Sequence, residues 1–98
     1  MSLSIVFTGK DGDYGPFSLA SASGWGAFAE WAESLPDRFD ALKTLADTGQ
    51  FSGTDRLSNQ LSHALSDHPP TDPIRHTVEG LLKNLGVGDP GETATVTD

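Results

Sequence analysis

Apolar residues are distributed along the chain in two different rhythms. Residues 3–8 read Leu-Ser-Ile-Val-Phe-Thr, β-branched and aromatic enough for a strand. Residues 9–15 (Gly-Lys-Asp-Gly-Asp-Tyr-Gly) hold three glycines and predict a loop. Residues 16–20 then alternate again (Pro-Phe-Ser-Leu-Ala) and predict the returning strand of a hairpin. An isolated hairpin is marginal in water and needs a helical layer to lie on.

From residue 23 the rhythm becomes helical. Trp25, Phe28, Ala29, Trp31, Ala32 and Leu35 cover one face at 3.6-residue spacing, with Glu30, Glu33 and Ser34 opposite, and predict a helix over 23–35. Pro36 breaks that helix and opens the next, in which Asp37 and Asp40 sit where the positive end of the helix dipole favours them. This second helix carries Phe39, Leu42, Leu45 and Ala46, and Gly49 is its expected left-handed terminus. Thr54 or Asp55 is the expected cap of a third helix, whose apolar stripe is the narrow set Leu57, Leu61, Ala64 and Leu65. It stops before His68-Pro69-Pro70, because a residue preceding proline is driven out of helical geometry. Asp72 and Pro73 then mark the start of a fourth helix carrying Ile74, Val78, Leu81, Leu82 and Leu85. Gly86 is expected to close it in a left-handed conformation, with Val87 folding back as the hydrophobic contact.

The fold expected from this order is α+β and mainly α, a short N-terminal strand or β-hairpin packed on three to four short helices. An all-α bundle with an N-terminal arm is the alternative. Residues 1–87 form one small globular domain in this reading, and residues 88–98 a flexible polar tail. Thr93 to Thr97 nevertheless has strand character, and pairing with the edge of residues 3–8 is the competing assignment.

Composition narrows the chemistry. Ninety-eight residues suffice for one core, burying roughly two-thirds of the surface the unfolded chain exposes. There are no cysteines, which excludes disulfides, zinc–thiolate sites and thiol nucleophiles. The apolar run at Leu3, Ile5, Val6 and Phe7 is too short for a secretion signal, so the expected location is cytoplasmic. Fourteen acidic residues against six basic ones give a net charge of −8, which repels phosphate backbones and anionic membranes and steers the chain towards a basic protein surface.

No motif for catalysis emerges. Asp11, Asp13 and their glycines suggest calcium, but the later ligand positions are held by Gly15 and Ala22 and the required glycine by Pro16. His63, His68 and His76 are close in sequence and would serve a metal or small-molecule activity if the helices brought them together. Glu30 and Glu33 lie one turn apart on an open face, where neither is desolvated as a general acid must be. Gly9, Gly12 and Gly15 precede no helix and make no phosphate loop. The second helix, Gly49 and the third helix trace the outline of a helix-turn-helix, with Arg56, Asn59 and Gln60 facing out, although the net charge opposes DNA binding.

The function expected is therefore a non-catalytic protein-interaction module of the adaptor, inhibitor or immunity type, without a cofactor. A metal-dependent activity of the histidine cluster stands second and helix-turn-helix DNA binding third. The partner-binding patch is expected at Trp31 with Glu30, Glu33, Asp37 and Asp40. The partner is expected to be a basic protein rather than nucleic acid or membrane. The chain itself is expected to be a monomer, or a homodimer joined through the edge strand at residues 3–8.

Overall fold

A computed structural model describes residues 2–10, 12–86 and 91–97. Strands β1 (Ser2–Gly9) and β2 (Gly12–Ser21) form the hairpin, followed by α1 (Ala22–Glu33), a 3-10 turn (Asp37–Phe39) and α2 (Asp40–Thr48). Then come β3 (Gln50–Ser52), α3 (Thr54–Asp67), α4 (Asp72–Leu85) and β4 (Thr93–Thr97). The architecture is α+β, with helices on one antiparallel sheet of strand order β2-β1-β4-β3.

The position of β4 corrects the expected tail. Residues 93–97 lie between β1 and β3, pairing Ile5 with Val96 and Phe7 with Ala94 on one side and Phe51 with Ala94 on the other. The alternation Thr-Ala-Thr-Val-Thr explains this. Partners in register share a face, so Ile5, Phe7, Ala94, Val96 and Phe51 line one side of the sheet, with Tyr14 and Phe17 of β2 opposite Phe7 and Ile5. Ile5, Phe7 and Ala94 are fully buried on this side. The other face carries Ser4, Thr8, Thr93, Thr95 and Thr97, as an antiparallel sheet with one solvated face requires.

The expected loop at 9–15 is largely strand. Gly9 pairs with Gly12, and Asp13 and Tyr14 pair with Thr8 and Phe7. The calcium reading loses its loop, and Asp11 lies outside the described residues. Gly12 and Gly15 adopt φ of 106° and 112°, and the register shifts around Gly15 and Leu19 bend β2. Because β1 is paired on both sides, the free edge is not residues 3–8. The sheet ends at β2 and at the three-residue β3. At β2, α4 packs alongside and Asn84 donates to the Ser18 carbonyl (3.0 Å), while Pro16 has no N–H to offer. The edge that residues 3–8 were expected to offer a second copy is therefore occupied by β4.

The helices follow their stripes. Phe28, Ala32, Leu42, Leu45, Leu57, Leu61, Ala64, Val78 and Leu81 are fully buried and join the sheet residues in one core. Ser21 caps α1, its hydroxyl accepting the Gly24 N–H (3.0 Å). Gly49 ends α2 in the left-handed region at φ 77°, as expected. Several terminus assignments change: α2 begins at Asp40 after the 3-10 turn rather than at Pro36, and Thr71 rather than Asp72 is the N-cap of α4. Gly53 (φ 116°), not Thr54 or Asp55, is the N-cap of α3, because its N–H and that of Thr54 bond to the Glu92 carbonyl as the chain leaves β3. Gly86 is right-handed (φ −68°), its N–H bonding the Leu82 carbonyl, and Val87 lies outside the described residues. No helix among the described residues is long and apolar enough to cross a membrane.

Candidate functional site

The patch expected at Trp31 forms where the end of α1 meets α2 and the turn between α3 and α4. Phe28 is buried, with Trp25 stacked on it at 4.8 Å and Trp31 tilted against it at 5.9 Å. Trp31 is half-buried, and its indole Nε1 donates to the His68 carbonyl at 3.1 Å. The indole therefore fastens α1 to the end of α3. Lys43 closes the same corner from α2, donating to the Leu35 carbonyl (3.0 Å) and to the Asp37 carboxylate (3.2 Å).

Asp40 is drawn away from this patch into a network with α3. Its carboxylate accepts from Arg56 at 2.7 Å and from the Gln60 amide at 3.0 Å. The Gln60 carbonyl oxygen meanwhile accepts the Ala41 N–H (3.0 Å) and the Leu42 N–H (3.3 Å). Phe39 precedes α2 and offers no side-chain cap, so Gln60 caps that helix from a neighbouring one. Chiefly the Gln60 hydrogen bond, with help from the charge of Arg56 and the Ala41 N–H, holds the Asp40 carboxyl below the ordinary carboxylate range, against a desolvation effect that is larger than the contribution of the Arg56 charge.

Of the five residues expected to form the patch, Asp37 and Asp40 are consumed in ion pairs and the Trp31 N–H in a structural hydrogen bond. Glu30 and Glu33 remain exposed and pair with no cation among the described residues. They are joined by Asp47 of α2, which the sequence pattern did not single out. Glu33 and Asp47 line one shallow groove of about 330 Å³ together with Lys43, Thr44 and Thr48. Asp47 follows Leu45 and Ala46 at helical spacing, so its outward position was readable, but its proximity to Glu33 depends on the angle between α1 and α2.

The histidines do not converge. His68 is half-buried with its ring edge-on to Phe39 at 5.8 Å, while His63 and His76 are exposed on α3 and α4. Among the described residues no group of three His, Asp or Glu side chains is placed to hold a metal ion. The helix-turn-helix outline also dissolves. Strand β3 occupies the connection between α2 and α3 and pairs with β4, and Arg56 and Gln60 are turned back onto Asp40. No family model matches the chain, and no curated protein or solved structure is significantly similar to it.

Proposed function

We propose that this chain is a non-catalytic protein-interaction module, of the adaptor, inhibitor or immunity type, that offers an acidic helical surface to a basic partner. The observation supporting this reading is the set Glu30, Glu33 and Asp47. These carboxylates stand exposed on two adjacent helices and form no ion pair among the described residues, while Lys43 beside them is engaged by Asp37. Like charges left uncompensated in this way repel one another and weaken the free fold slightly, and a cationic surface relieves that repulsion on binding. The rigid floor under them, Trp31 on Phe28 with its N–H fixed to the α3–α4 turn, spares the surface an ordering cost when a partner docks.

The test compares the wild-type chain, the triple variant Glu30→Lys, Glu33→Lys, Asp47→Lys, and a control with charge reversals at Asp72 and Glu79 on α4. Affinity capture from lysate followed by binding measurements on each captured protein is the readout. A genuine partner binds the wild type and the α4 control, fails to bind the triple variant, and loses affinity steeply as salt rises. Captured proteins that bind all three forms equally rule the acidic surface out.

A further inference from the structure

A cleft of about 510 Å³ opens where the first turns of α1 and α4 meet beside the end of β2. Leu19, Ala20, Ala27 and Pro73 give it an apolar wall. The hydroxyls of Ser21, Ser23 and Thr77 and the ring of His76 supply its polar side. In a chain with fourteen acidic residues, no carboxylate among the described residues lines it.

Thr77 is the informative residue. It is only 5% exposed, yet its hydroxyl makes no hydrogen bond to any described residue. A helical threonine ordinarily bonds back to the carbonyl one turn earlier, as Thr48 does to Thr44 at 2.9 Å. Among the described residues no buried side-chain oxygen is both sealed from solvent and without a partner, so the Thr77 hydroxyl opens onto the cleft that it lines. Open to the cleft, that hydroxyl bonds whatever occupies it, water in the free protein or a ligand that displaces the water.

Across from Thr77 lies the N-terminus of α1. A Cβ on Gly24 would stand 3.4 Å from Thr77 Oγ1 and 3.1 Å from Ser21 Oγ, so glycine keeps the space between them open. The Gly24 N–H is taken by Ser21, but those of Ala22 and Ser23 have no intrahelical acceptor, as at any helix start. The first turn of α1 also carries no acidic residue, whereas α2, α3 and α4 begin with Asp40, Asp55 and Asp72. The positive end of that one helix dipole is thus uncompensated. Asp72 is exposed and does not line the cleft.

We infer that this cleft is a binding site for a small phosphate monoester. The anionic oxygens take hydrogen bonds from Thr77, Ser21, Ser23 and the free N–H groups of α1, and the organic group rests on Leu19, Ala27 and Pro73. This site is separate from the acidic surface of α1 and α2, and neither reading depends on the other.

The test is an amide NMR titration of the full chain with phenyl phosphate, inorganic phosphate, phenol, and sodium chloride at matched ionic strength. The expected result is saturable shifts at Ser23, Gly24 and Thr77 with phenyl phosphate, and weaker saturation at the same amides with inorganic phosphate. Thr77→Val should weaken phenyl phosphate binding about ten-fold, the worth of one hydrogen bond to a charged group. Thr77→Ser should bind like the wild type, and Gly24→Ala, which puts a methyl between the two hydroxyls, should abolish saturation. Shifts no different from those in chloride, an equal response to phenol, or unchanged affinity in Thr77→Val would each overturn the assignment. Should Thr77→Val lose its folded spectrum, the contrast between Thr77→Ser and Gly24→Ala decides, and equal binding by both refutes it.

Discussion

Replacing Gln60 with alanine isolates a single device, the capping of α2 from α3. Gln60 receives the Ala41 and Leu42 N–H groups at 3.0 and 3.3 Å, and α2 has no side-chain cap of its own. Losing one N-cap acceptor costs about 1 kcal/mol. A second half-buried N–H left to find water adds about 1 kcal/mol more, so the expected loss is about 2 kcal/mol. The Gln60 contact to Asp40 is exposed and screened, and its loss adds little. For a domain of this length the loss lowers Tm by about 8–15 °C and the urea midpoint by about 1–2 M with the slope unchanged. Urea unfolding followed by far-UV circular dichroism is the assay. Gln60→Glu keeps the acceptor and gives up the donor, so in salt sufficient to screen its repulsion from Asp40 it should recover most of the loss. A change below about 0.5 kcal/mol in Gln60→Ala, inside the range of ordinary surface substitutions, would refute the capping role.

Three further outcomes are expected. The lowered pKa of Asp40 favours the folded state at pH values above the ordinary value of 3.8, and that contribution disappears as pH falls through the lower folded value. The stability gap between the wild type and Asp40→Asn, measured by urea titration across pH, should therefore be constant near neutrality and close in acid. Trp31→Phe keeps a ring against Phe28 but orphans the His68 carbonyl, and should cost about 1 kcal/mol in the same assay. Ending the chain after Gly91 removes β4 from between β1 and β3, and should abolish the cooperative thermal transition and expose dye-binding apolar surface.

The helices were legible because each carries its own record of what it buries. Leu57, Leu61 and Ala64 mark one side of α3, and all three are fully buried. Gly49 announces the end of α2 because a left-handed residue is needed there. Strand β3 left no such record, since three residues with one apolar side chain, Phe51, are shorter than any period. Strand β4 did alternate, but three of its five residues are threonines of a solvated face, and their polarity imitates a tail. The candidate patch was legible only in part. Glu30 and Glu33 were identified by helical phase alone, and they remain exposed. Trp31 bonds to His68, and Asp40 to Arg56, across stretches of chain that only the tertiary fold brings together. Thr77 was passed over for the same reason, since a threonine within a helical stripe looks like filler until its hydroxyl is seen to bond no described residue and to line the cleft.

The interior place of β4 also fixes when this molecule can finish folding. Ser4 and Thr97 are register partners, so the sheet joins the two extremities of the described chain. Helices form from neighbours in sequence, whereas this closure spans the longest loop available and is correspondingly slow. During synthesis the hairpin and all four helices leave the ribosome before residues 93–97 do. Throughout that interval the strand bearing Ile5 and Phe7 has one side unzipped, the period in which the nascent chain is most exposed to pairing with another copy of itself.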